Sequence, residues 1–174
     1  MHSIAGHRFF AGITIAVLLM PAVSVAADTP WKKMSPVMRT QAILNRARQD
    51  DRLKVGVECK VWVQNVVREA SGGIVQIPRT LHGGEGHAWE DAPGISGACI
   101  PISRVRTGQI IQMRWTNRSG RSLPHTAIVL SATRTGVTVI DSNWDGSMTV
   151  RVHTWSIAEF EQAVGTKYTV YTVL

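Results

Sequence analysis

Cysteine is scarce in this chain: of 174 residues only Cys59 and Cys99 carry a thiol, so at most one internal disulfide can form. Acidic residues are also few, 12 against 19 lysines and arginines, which leaves a formal net charge of +7. There is no block of Lys and Arg with interleaved aromatics, so a nucleic-acid partner is not expected. Repeats and low-complexity segments are missing as well. No apolar run is long enough to span a bilayer comfortably: the longest, from Phe9 to Leu19, is followed at once by the helix-breaking Pro21.

What the N-terminus does have is a short basic start (His7, Arg8), that apolar run, and the small residues Val25-Ala26-Ala27 ahead of Asp28. This is the layout of a secretory signal peptide over residues 1–27, cut after Ala26 or Ala27. The expected location is therefore secreted or periplasmic, with no stable membrane anchor after cleavage. The remaining 147 residues are enough for one domain with a real core, expected over 28–174. The leader carries one arginine and no acid, so the mature charge is +6, which suits an anionic cell-envelope surface.

Ser35-Pro36 opens a helix that runs to about Gln49, with Val37, Met38, Gln41, Ile43, Leu44 and Ala47 on one stripe. A second helix is expected from about Cys59 to Ala70. Val61, Trp62, Val63, Val66 and Val67 cover most of its circumference, which predicts a central, buried position, and Ser71-Gly72-Gly73 ends it. Residues 72–107 hold seven glycines and three prolines and read as a long irregular loop. From Gly108 the period changes to strands, at 109–115, 125–131, 137–143, 148–154 and 168–174. Ser156 and Glu159 form a capping box for a short helix ahead of the last strand. The expected class is α+β: N-terminal helices packed on an antiparallel sheet of about five strands.

Four residues stand where chemistry needs them. Cys59 falls at a helix N-terminus, where the dipole and unpaired N–H groups favour a thiolate and can receive an oxyanion. His125 starts one strand, and Asp141 lies on the next, with Asn143 on the same alternating face. If the turn between these strands centres on Arg134, residue 131 opposes 137, 127 opposes 141 and 125 opposes 143. His125 then lies beside Asn143 and diagonal to Asp141, which makes it a base with a group able to fix its tautomer. A central helix packed on that face would bring the Cys59 thiol to the imidazole.

Glu58-Cys59-Lys60-Val61-Trp62-Val63, Thr107-Gly108-Gln109-Ile110-Ile111-Gln112, and His125-Thr126-Ala127-Ile128-Val129 followed by Ile140-Asp141-Ser142-Asn143-Trp144 together carry a resemblance. The chain resembles the papain-like cell-wall cysteine amidohydrolases and peptidases, the CHAP and NlpC types. The resemblance covers roughly residues 56–144. It implies a papain-like core, with Cys59 as nucleophile and His125 as general base. Asp141 becomes the carboxylate partner and Asn143 an orienting or oxyanion-side group. The implied substrate is peptidoglycan, at a stem-peptide amide or the muramoyl–L-alanine link, and no cofactor is implied.

Other residues carry two readings each. His82, His87 and Trp89 lie in the Gly-rich stretch; His82 and His87 lack the carboxylate pattern of a metal site, so none is expected, but His87 and Trp89 could line a substrate groove. Trp144 either walls the site or fills the core, and His153 reads as a packed strand residue. The competing function is a non-catalytic exported module that binds cell wall or peptide, with Cys59 and Cys99 bridged, since one disulfide is the default for two cysteines in an oxidising compartment. A triad makes better sense of the shared face of His125, Asp141 and Asn143, and it needs Cys59 free.

Overall fold

A computed structural model describes residues 30–76, 94–116 and 119–174. The leader read over 1–27, together with His82, His87 and Trp89, lies outside the described residues. Among the described residues no helix is long and apolar enough to cross a membrane.

Helix α1 spans Pro36–Gln49 and begins as its sequence dictates. The Ser35 hydroxyl accepts the Met38 N–H at 3.3 Å, and Pro36 takes the first helical position, where its missing N–H costs nothing. Ile43, Leu44 and Ala47 are buried. Val37, expected in the same stripe, is 77% exposed, because the first turn lies outside the core. Helix α2 spans Cys59–Ala70 and buries Cys59, Trp62, Val63, Gln64, Val66 and Val67, a wide face that fits its central position. The Gly73 N–H closes its far end on the Arg68 carbonyl at 2.7 Å.

The two helices are tied by a polar contact inside an apolar seam. The Trp62 indole N–H donates to Asp50 Oδ2 at 2.8 Å, and Asp50 Oδ1 accepts from Arg46 at 2.8 Å. Trp62 is almost fully buried. Trp62→Phe keeps most of the apolar body but leaves one carboxylate oxygen without its donor, and should cost about 1–3 kcal/mol. A urea unfolding midpoint indistinguishable from that of the parent would contradict this.

Six strands form one antiparallel sheet: β1 (Ile95–Ala98), β2 (Ile110–Thr116), β3 (Ser122–Ala132), β4 (Gly136–Ser142), β5 (Val150–Ser156) and β6 (Tyr168–Val173), in the order β1-β6-β2-β3-β4-β5. The architecture is thus α+β. The five expected strands are present and a sixth joins them. β1 lies within the stretch read as an irregular loop, and it pairs Ile95 with Val173 and Gly97 with Tyr171 at the sheet edge. Its glycine, taken as a loop signal, has a packing reason: a Cβ on Gly97 would come within 2.7 Å of the Tyr171 ring.

A third helix, α3 (Ile157–Ala163), follows β5, and both arms of its capping box are formed: the Ser156 hydroxyl accepts the Glu159 N–H, and the Glu159 carboxylate accepts the Ser156 N–H. The sheet is covered on both faces. On one side Ile110, Ile128, Ile140 and Tyr171 meet Leu44, Trp62, Val63 and Val67 of α1 and α2. On the other, Ile111, Met113, Ala127, Val129 and Val139 meet Phe160 of α3 and Ile102.

Candidate active site

The N-terminus of α2 is pinned to the open end of the sheet. Gly56, at φ +69°, turns the chain into the helix. Ser142 Oγ donates to the Val57 carbonyl at 2.9 Å, and Asn143 Nδ2 donates to Glu58 Oε2 at 2.7 Å. Upstream, the Val55 N–H reaches the Met148 carbonyl at 2.9 Å. Cys59, the first helical residue, is therefore fixed beside the point where β4 stops. The first intrahelical bond is from the Trp62 N–H to the Glu58 carbonyl, so the Cys59 N–H belongs to the first turn, ahead of the helical ladder.

His125 is buried on β3, and Asp141 is completely buried on β4. Ile128 faces Ile140 across these strands, the register expected at this end of the hairpin, and His125 Nε2 lies 3.3 Å from Asp141 Oδ1. The other end of the hairpin differs. A bulge between Val129 and Ser131 pairs Ser131 with Thr138, and Ala132 rather than Ser131 opposes Val137. With Nε2 turned to the carboxylate, Nδ1 is the nitrogen left for the thiol, and Cys59 borders the same cavity as His125. At 3.3 Å the two atoms face each other without forming a hydrogen bond, and catalytic contacts of this kind often tighten only when substrate binds.

Two expectations are corrected. The β3–β4 pairing ends at Ile128 with Ile140, so Asn143 is not a strand partner of His125, although both border the same cavity. The strand ends at Ser142, Asn143 adopts a left-handed backbone at φ +65°, and its side chain spans Glu58 and the Met148 N–H, the latter at 3.1 Å. It thereby occupies the carboxylate next to Cys59. The second correction concerns the helix. The body of α2 packs on the Ile128 and Ile140 face, whereas His125 alternates with Ala127 and Val129 on the face toward α3. The thiol meets the imidazole around the end of β4 rather than across a packed face.

Trp144 walls the site. Its ring meets the His125 ring edge-on at 5.0 Å and stacks on Trp115 at 4.3 Å. Glu58, Cys59, Pro124, His125, Asn143 and Trp144 all border one cavity of about 460 Å³. A residue read only as packing also enters here: His153 Nε2 lies 3.2 Å from Asp141 Oδ2. Both cysteines are free, with Cys59 buried and Cys99 exposed. Among the described residues no His, Cys, Asp and Glu cluster could hold a metal ion.

Burial works against a charge on His125, but the facing Asp141 and Cys59 outweigh it and hold its pKa at about 9. The stabilisation from protonated His125 is present in full below its ordinary pKa of about 6.5 and lost as pH rises through about 9. The parent should therefore lose up to about 3 kcal/mol relative to His125→Asn between those two pH values. Chemical denaturation of both proteins across that window measures the difference; a gap that does not change with pH would contradict it. At His153 burial dominates and lowers the pKa, with Asp141 pulling up and His125 pushing down.

No protein-family model matches the chain, and no curated protein does. Among solved structures the chain is similar to the crystal structure of Ly7917, at 15% identity and a TM-score of 0.55 over 75% of this chain. It is likewise similar to Ly7917 with the hydrolyzing product of MDP, at 16% identity and a TM-score of 0.54 over 77% of this chain. The matched region spans 61% and 63% of those chains, so the likeness is one of fold over part of a longer protein.

Proposed function

We propose that this chain is an exported cysteine hydrolase with a papain-like core of the CHAP or NlpC type, and that it cleaves amide bonds in peptidoglycan. The observation that carries the reading is a buried imidazole set between a helix-terminal thiol and a fully buried carboxylate. A thiol beside a base held by a third group is the nucleophile arrangement of a cysteine peptidase.

The steps follow from the geometry. The Cys59 sulfur attacks the amide carbonyl carbon, and the carbonyl electrons move to oxygen. First-turn N–H groups of α2 receive that oxyanion. His125 gives its proton to the amide nitrogen as the C–N bond breaks, so the amine leaves and a thioester remains. Water enters; His125 takes one of its protons while the hydroxide oxygen attacks the thioester. Collapse releases a carboxylic acid and returns the sulfur as thiolate beside the imidazolium.

The substrate class rests on the sequence resemblance, on the basic balance of a chain with an export leader, and on the walls of the cleft. The related fold has been described with the hydrolyzing product of MDP. Stem-peptide amides and the muramoyl–L-alanine link are the proposed targets. Digestion of purified peptidoglycan, read by mass spectrometry, should yield fragments with one new amino and one new carboxyl terminus. Intact material after exposure to the parent protein would end the proposal.

A further inference from the structure

Asp141 has an imidazole facing each of its oxygens, and among the described residues neither oxygen has a hydrogen-bond partner. Oδ1 faces His125 Nε2 at 3.3 Å, and Oδ2 faces His153 Nε2 at 3.2 Å. His153 reaches it from the neighbouring strand β5, where His153 pairs with Val139 and Arg151 pairs with Asp141. The ring is itself held by aromatic neighbours: Trp144 at 4.5 Å and Trp155 at 5.4 Å between centroids. Trp144 also touches the His125 ring, so one indole contacts both imidazoles that flank the carboxylate.

We propose that His153 is a positioning residue for the Cys59–His125 pair, acting through Asp141. This rests on the cysteine-hydrolase reading above. A carboxylate with no exposure to water needs a donor on each oxygen to remain an anion. His153 Nε2 stands 3.2 Å from the far oxygen, and neither atom has a hydrogen-bond partner among the described residues, so a small turn of the ring makes His153 the donor there. It does so without adding a positive charge at neutral pH, because burial keeps its imidazole neutral. A neutral donor fixes the carboxylate and leaves its charge available to the His125 imidazolium; a lysine or arginine at 153 would compete for that charge. Without the donor, Asp141 turns more freely, and the His125 ring loses the fixed partner that aims it at Cys59. The charged groups near His153 are Asp141, His125 through Asp141, and Arg151 on its own strand, which is paired with Asp145 at 3.2 Å.

The test separates position from bulk. In a Cys99→Ser background, which removes the exposed thiol, His153→Leu keeps comparable volume without a donor, and His153→Gln restores an N–H near the position of Nε2. Alkylation of Cys59 by iodoacetamide at pH 7 is followed in the intact protein. The expected result is a loss of about tenfold or more in His153→Leu, the scale typical of removing an outer-shell partner, and a rate within about threefold of the parent in His153→Gln. Parental reactivity in His153→Leu would overturn the proposal. Equal loss in both variants would overturn it too, since it would point to a packing role. If the Cys99→Ser parent itself reacts no faster than an ordinary thiol, the cysteine-hydrolase reading fails first, and that outcome is visible before any His153 variant is compared.

Discussion

Cys59→Ala is expected to remove turnover, and His125→Ala to reduce it to the same floor. The sulfur supplies the bond to carbon, and the imidazole supplies the proton without which the amine cannot leave. Either loss leaves only binding and the oxyanion donors, so each single variant should fall by at least about 10⁴ in kcat/KM. The double variant Cys59→Ala/His125→Ala should be no worse than either single one, because the two groups act as a unit. Additive losses would show that they act separately and would contradict a thiolate–imidazolium pair. Cys59→Ser is a useful companion. It keeps the shape, but a hydroxyl does not ionise beside an imidazole as a thiol does, so it too should be inactive while folding normally. The measurement is release of new amino groups from purified peptidoglycan. Hydrolysis by Cys59→Ala within tenfold of the parent would place the nucleophile elsewhere.

Much of the core constellation was legible in the residues. Strand alternation is strict, so His125 and Asp141 could be put on one face from spacing alone, and the register near them holds because it is set by Ile128 opposite Ile140. The helix starting at Cys59 was legible from the apolar cover of Trp62, Val63, Val66 and Val67. Capping at Ser35 and Ser156 was readable because a side chain within three residues decides it.

What spacing did not convey was where regularity stops. Asn143 was carried along the strand by parity, yet it adopts a left-handed backbone at φ +65°, and Met148 does the same at φ +56°. Asparagine is among the few residues that tolerate this, and Asp145-Gly146 just beyond it marks a turn, so the signal for the strand's end is local rather than periodic. Asn143 and Met148 both lie in the connection that leads into β5, where His153 falls opposite Val139 and so on the face of Asp141, a placement that no period count across an irregular connection can supply. The side of the sheet taken by α2 was also out of reach. Both faces are apolar, with Ile128 and Ile140 on one and Val129 and Val139 on the other, so periodicity gives each an equal claim on the helix.

Asp141→Asn isolates the part of the mechanism that depends on charge rather than shape. The substitution is isosteric and the site is completely buried, so the fold should survive. The amide, however, has one acceptor where the carboxylate has two. Two imidazoles face those atoms, and only one can keep an oxygen. If the nitrogen turns to His125, Nε2 must become the acceptor and the proton moves to Nδ1, which can then no longer take a proton from Cys59. If the oxygen stays with His125, the negative charge that supports its imidazolium is still gone. Either way kcat/KM should fall by about 10³–10⁴, the range expected when a buried orienting carboxylate loses its charge. The alkaline limb of the pH profile should also move from about 9 toward the ordinary histidine range, because one of the forces holding the proton on His125 has been removed. A variant that is as slow as expected yet keeps its limb near 9 would mean that Cys59 alone holds the proton, and that Asp141 serves only to aim the ring.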